Sequence, residues 1–267
     1  KAISELEKEL DVTLFKKAGR GVTATEDALR LAEMASTVLD EIAIMRNYAK
    51  AKSKSIANVR SFSLGLSSTL CKGSPLDESD FINFKTKHPD LMFTTLKHSN
   101  EACISALIHG LVEAAIVVGG IDSPNINCMR IGSAPLSALA LRGSDLDCGE
   151  ITFSSLSRKR IALPANLSAA YFLLKDALAR RSMFPELATI CPDPADQKSF
   201  IDEGGVTLAF ANATLPDIYD DITLVPLTKH DEIRCPIFLI CIKENVSPLI
   251  HELLQHARKS LLKRENG

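Results

Sequence analysis

The sequence predicts an α/β protein in three parts: a helix and hairpin, one long helix, then two α/β lobes facing each other across a cleft. Three observations carry this. A basic, glycine-flanked turn, LFKKAGRGVTAT (14–25), follows a short amphipathic segment. An apolar seam then runs at heptad spacing from residue 28 to 49. Beyond residue 58, short apolar runs alternate with helical stretches in the β-α-β order of a mostly parallel sheet.

In the first part, Ile3, Leu6 and Leu10 recur at spacings of three and four, so KAISELEKEL reads as a helix ending near Asp11. The next residues read as a hairpin: an extended piece from Val12 to Lys16, the turn Gly19-Arg20-Gly21, and a second piece from Val22 to Ala24. Thr25 is placed to cap the following helix, with Glu26 and Asp27 in its first turn, where the helix dipole favours anions. Lys16, Lys17 and Arg20 lie within five positions. A solvated turn would account for them. So would the wing of a winged helix-turn-helix DNA binder, whose residues reach phosphates or the minor groove. Glycine neighbours let Arg20 approach a narrow groove closely.

The long helix extends to about Lys54. Positions 28, 31, 35, 38, 42, 45 and 49 are Ala, Leu, Ala, Val, Ile, Met and Ala, and the span 26–54 holds neither Gly nor Pro. A seam of this length, with small residues at alternate positions, favours packing against a partner helix and therefore a homo-oligomer. The stretch AKAKSKSIAN (49–58) reads as a polar hinge.

In the first lobe, SFSLGL, LMFTTLKHS and EAAIVVGG read as strands, with helices in 67–90 and 100–111. APLSALALRG continues as an extended piece. The second lobe holds strands RIALPA, ELATICP and GVTLAFAN, and helices starting at Ser168 and Asp193. The tail returns through DITLVPL and PIFLICIKE to a terminal helix. The chain thus crosses between lobes near 136–142 and again near 228–236, which makes a hinged cleft.

Composition narrows the function. The 267 residues are 46% hydrophobic and 24% charged, at net charge −2, which argues for a globular chain without a chain-wide polybasic surface. There is no Trp, so stacking on single-stranded nucleic acid is disfavoured. No apolar run is long enough to span a bilayer. Seven scattered cysteines without a CxxC pair fit reduced thiols in a cytoplasmic protein, most of them small core residues.

Clefts between α/β lobes bind ligands beyond the C-terminal ends of strands, against helix starts. Ser67, Ser68 and Thr69 follow the first strand of the first lobe, and His98, Ser99 and Asn100 follow the second. Pro164, Ala165 and Asn166 open the first helix of the second lobe, and Gly204-Gly205 precedes a strand. Val118 and Gly119 end the third strand at the cleft floor. Hydroxyls and free backbone N–H groups there suit a small molecule carrying an anion such as a carboxylate. Plain N-capping is the competing reading. Lys72 is the nearest cation, so carboxylates, sugars and amino acids all fit.

Catalytic patterns are lacking. His251 and His256 in HELLQH are five apart, about 140° around a helix, where HExxH needs four. They read as solvent-facing, not as metal ligands. No GxSxG, GxxxxGK[ST] or strand-borne GxGxxG occurs. No enzyme and no cofactor is expected.

The opening residues AISELEKELDVTLFKKAGRGVTATEDALRLAE resemble the N-terminal signature of LysR-type transcriptional regulators. Ala2-Ile3-Ser4, Leu6-Glu7, Leu10, Leu14-Phe15, Arg20 and Thr25 fall on it when its Ser-to-LE spacing is read two residues short. Lys17 stands at the usual arginine, Asp11 at the common glycine, and Ala24 at the leucine before Thr25. FINFKTKHPDL, ISALIHGLVEAAIV and SFIDEGGVTLAF are similar to later family stretches, so the likeness covers the chain, more specifically at its start. It implies a winged helix-turn-helix truncated by about 30 residues, because the motif needs two helices. It further implies residues 1–25 as the end of a DNA-binding domain, 26–55 as a dimerisation helix, and 58–267 as an effector-binding domain like a periplasmic binding protein. Lobe I would comprise 58–137 and 234–267, and lobe II 138–233. Lys1, Ser4, Lys16, Lys17 and Arg20 would contact operator DNA. A transport-type solute-binding protein on the same lobes is the main alternative, but it needs neither hairpin nor heptad helix. An enzyme on those lobes lacks a catalytic set.

Overall fold

The structure, a computed structural model, describes residues 2–18, 21–25, scattered positions between 27 and 46, 60–70 and 75–266. Helix α1 (Ala2–Leu10) leaves Ile3, Leu6 and Leu10 exposed on one side. It ends at Asp11, whose φ of 52° is left-handed, and the Val12 N–H turns back to the Glu7 carbonyl at 3.1 Å. The Glu7 carboxylate accepts from the N–H groups of Leu14 (2.7 Å) and Phe15 (3.3 Å), which ties the helix to the hairpin. Strands β1 (Phe15–Ala18) and β2 (Gly21–Ala24) pair antiparallel. The Thr25 hydroxyl donates to the Thr13 carbonyl (2.7 Å) and accepts from the Ala28 N–H (3.1 Å), so the cap read from the sequence is present. Described positions between 27 and 46 are helical, and Val38, Ile42 and Met45 of the seam are exposed in the single chain. Ala49 and the hinge stretch 49–58 lie outside the described residues.

Beyond residue 60, β3 (Arg60–Ser67) lies between and parallel to β4 (Leu91–His98) and β5 (Ala114–Val118). β5 pairs antiparallel with β11 (Arg234–Ile242), and β11 with the first part of β6 (Ile126–Leu141). The last part of β6 pairs antiparallel with β9 (Val206–Phe210) and β10 (Ile222–Pro226). β7 (Ile161–Pro164) joins β9 to the edge strand β8 (Leu187–Ile190), all parallel. The long strand β6 therefore belongs to both lobes: its partner changes from β11 at Pro135 to β9 at Leu136. The return crossing lies beside it, with the Leu136 N–H on the Ile233 carbonyl at 2.9 Å.

Helices α2 (Ile82–Lys87), α3 (Asn100–Ile108), α4 (Phe153–Leu156), α5 (Ser168–Ala179), α6 (Pro194–Asp202) and α7 (Pro248–Asn266) complete the chain. One buried apolar cluster extends from Leu64 and Ile116 in the first lobe to Leu163 and Leu208 in the second. β6 starts earlier than its sequence suggests. Asn127, Arg130 and Ser133 interrupt the apolar pattern, yet this half is sandwiched between β11 and α7. Gly132 permits the approach of α7, since a Cβ there would stand 2.5 Å from Leu261. One expectation fails in α7: His256 is half-buried, its Nε2 donating to the Asp80 carbonyl at 2.6 Å, with Phe84 packed on its ring. Only His251 of the pair is exposed. Among the described residues no helix is long and apolar enough to cross a membrane.

Candidate functional site

A cavity of about 290 Å³ opens where the C-terminal ends of β3, β7 and β9 converge. Four of the residues singled out from sequence line it: Ser68, Thr69, Pro164 and Asn166. They come from opposite lobes and touch, for the Thr69 hydroxyl donates to the Asn166 carbonyl at 2.5 Å. Ser67 is sealed beneath them, its hydroxyl accepting from the Thr69 N–H at 3.3 Å. Ala165 sits in the half-buried turn between Pro164 and Asn166, outside the cavity lining.

The other singled-out residues do not line this cavity, and several take part in local structure. Asn100 is buried, and its carboxamide donates to the Val118 carbonyl (2.7 Å) and accepts from the Val118 N–H (3.2 Å). Ser99 caps α3 through the Ala102 N–H, and the His98 carbonyl accepts from the Ser68 N–H at 2.6 Å. Gly119, at φ 86°, packs against α5: a Cβ there would stand 2.9 Å from that of Ala169. Gly204 and Gly205 end α6. Gly204 is left-handed at φ 83°, and a Cβ on Gly205 would strike the Phe200 ring at 2.3 Å. They precede β9, whereas the cavity lies beyond its far end.

Sequence reasoning missed that far end. Gln197 on α6, Phe210 at the end of β9, and Leu215, Pro216 and Tyr219 in the segment after it all line the cavity. The signal was present: the same rule that singled out the residues after β3 applies to ANATLPD after β9. Tyr219 is 6% exposed. Burial, with the Asp193 carboxylate as a second cause, pushes its phenol up to about 12. Asp193 caps α6, accepting from the Ala195 N–H at 2.8 Å. Among the described residues no charged side chain lines the cavity; Lys72 lies outside them. No group of three potential metal ligands occurs among the described residues.

Lys16 and Lys17 stand exposed on β1, opposite Thr23 and Val22, and Ser4 is exposed on α1. Lys1 and Arg20 lie outside the described residues.

The family model for the LysR substrate binding domain matches residues 82–262, more than half of the chain. Among curated proteins none matches significantly. Full-length BenM is similar in structure at 20% identity and TM-score 0.64, covering 98% of this chain and 86% of its own. The effector binding domain of QuiR in complex with shikimate is similar at 15% identity and TM-score 0.62, covering 77% and 99%. The BenM effector binding domain with its effector benzoate gives 17%, 0.64, 79% and 96%.

Proposed function

The chain belongs to the LysR family of ligand-responsive, DNA-binding transcription regulators, and from that premise we propose how its parts divide the work. The cavity between the lobes holds the effector. Residues 58–267 form the sensing domain, with lobe I as 58–137 and 234–267 and lobe II as 138–233. Ser68, Thr69 and Asn166 contact the ligand from the two sides of the cleft. QuiR with shikimate and BenM with benzoate supply the precedent of carboxylate ligands on this fold. Residues 26–55 pair two copies into a homodimer, or into a tetramer if the lobes also pair. Val38, Ile42 and Met45 would bury their exposed faces in that pairing. Lys16 and Lys17, with Arg20 at the tip and Lys1 and Ser4 on the recognition helix, meet phosphate or groove edges. The protein acts in the cytoplasm, where DNA and metabolite are both available, and is not an enzyme.

The observation that carries this reading is the Thr69–Asn166 contact across a cavity whose walls come from both lobes. A ligand that binds one lobe arrangement better than another shifts their balance by that difference in affinity, no more. The shift changes the spacing of paired DNA-binding heads. One set of titrations tests both ends. Thr214→Trp, at the exposed cavity rim, abolishes ligand-induced thermal shifts across a metabolite library. Lys16→Ala with Lys17→Ala weakens duplex DNA binding and lowers its salt slope by about two. Unchanged salt dependence would remove the hairpin from the DNA interface, and shifts that survive Thr214→Trp would move the effector elsewhere.

A further inference from the structure

Two polar groups at the lobe II end of the cavity have no hydrogen-bond partner among the described residues. The Tyr219 hydroxyl makes no hydrogen bond among the described residues, although the side chain is buried. Gln197, 9% exposed, donates through Nε2 to the Pro192 carbonyl at 2.9 Å, and its Oε1 accepts nothing among them. A carbonyl can only accept, so that bond also decides which end of the carboxamide is oxygen. Among the described residues, the one polar side-chain atom both sealed from solvent and unpaired is the Thr207 hydroxyl. The Tyr219 and Gln197 atoms are therefore not sealed from solvent, and both residues line the cavity. Water can reach both atoms, so neither carries the cost of a sealed, unpaired group. A ligand that fills the cavity displaces that water and must replace its hydrogen bonds to both atoms.

Their chemistry is complementary. The Tyr219 phenol stays protonated well above neutral pH and is a donor. Gln197 Oε1 is an acceptor only. Negative charge is unwelcome beside them, because the Asp193 carboxylate already occupies the N-terminus of α6 and acts on Tyr219. Leu139, Leu208, Phe210 and Leu215 supply apolar walls, and about 290 Å³ suits a body the size of one ring. We propose that this end of the cavity recognises an uncharged amide-type group, its oxygen on Tyr219 and its N–H on Gln197, carried on a ring-sized apolar body. This rests on the cavity being the effector site. It leaves the interlobe end, at Ser68 and Asn166, free to take whatever else the ligand carries.

The test uses isosteric pairs, benzamide against benzoate and nicotinamide against nicotinate, titrated calorimetrically into the full chain. The amides should bind at least tenfold more tightly than their acids. Tyr219→Phe and Gln197→Met should each weaken amide binding about tenfold, the loss of one hydrogen bond to a buried partner. Tyr219→Phe should leave the melting temperature unchanged, since the hydroxyl bonds to no described residue, so lost binding would not reflect lost folding. Acids binding as tightly as amides, amide affinity indifferent to Tyr219→Phe, or no amide binding would each overturn the assignment. Thr214→Trp separates the two ideas. If it abolishes binding of a probe that ignores Tyr219→Phe, the cavity remains the effector site and the amide assignment alone falls. If a probe binds regardless of Thr214→Trp, both fall.

Discussion

Asn100 illustrates how a residue at the right place in a fold can be committed elsewhere. It opens α3 at the end of β4, as a ligand contact would, but both ends of its carboxamide close on Val118. Asn100→Ala should therefore cost about 2–3 kcal/mol by leaving a buried peptide unpaired, seen as a lowered urea midpoint, while ligand affinity holds. Asp231 is a second committed residue. Its carboxylate, 10% exposed, accepts from the Phe153 N–H (2.8 Å) and pairs with Arg181 (2.9 Å), joining the return crossing to α4. Burial works to raise its pKa. The Phe153 N–H, the His230 ring and the Arg181 charge outweigh burial and hold it below the ordinary 3.8. A depressed carboxyl stabilises the fold above its unfolded value and loses that contribution as pH falls through the folded one. Asp231→Asn should lower stability at pH 7 by about 2–3 kcal/mol and narrow the gap to wild type below pH 3.8, as read from urea midpoints at both pH values.

At the scale of elements, local chemistry explains why most boundaries were legible. Thr25 caps its helix because its hydroxyl can reach the Ala28 N–H. α3 and α6 begin after the capping side chains of Ser99 and Asp193, whereas α5 begins at Ser168 without a side-chain cap and ends at Ala179, short of the stretch to Phe184 read as helical. Asp11 is a weak point. It adopts a left-handed φ of 52° and adds negative charge at the C-terminus of α1. Glycine takes that conformation without strain, so Asp11→Gly should stabilise the head by about 1 kcal/mol. A fall in the denaturation midpoint would show that Asp11 has a compensating role. β6 was legible only in its second half. Its first half mixes Asn127, Arg130 and Ser133 with apolar residues, and it is a strand because β11 and α7 cover it.

For the whole molecule, two adjacent strand crossings define the arrangement of the lobes, with two of the close interlobe contacts among the described residues beside them. The contacts are Thr69 with Asn166, and Gly119 with Ala169. Thr69→Val keeps the shape of the side chain and removes the hydrogen bond. It should shift the balance toward separated lobes by about fivefold, the value of one such bond. Small-angle scattering would read this as a larger radius of gyration for the ligand-free chain, and an unchanged radius would make Gly119 and the shared core the main restraint.

The sequence by itself determined the order of helices and strands, the paired crossings between lobes, the hairpin and the cap at Thr25. These follow from spacing, turn chemistry and capping, which act over a few residues. It also located one wall of the cavity, because Ser68, Thr69, Pro164 and Asn166 sit at strand ends that the β-α-β order brings together. The same rule extends to the stretch after β9, but only the tertiary structure decided that Gln197 and Tyr219 join it in the other wall. Gln197 and Tyr219 are ordinary residues in sequence, and they matter because folding places them in the cavity lining, each with one hydrogen-bonding atom that no described residue engages. Conversely, Asn100 carried a plausible local signal, but Val118, eighteen residues on, had already engaged it, and Gly205 is taken up by Phe200 of the helix it follows. Whether a polar group is available depends on what the rest of the chain places within 3.5 Å of it, and no local pattern encodes that.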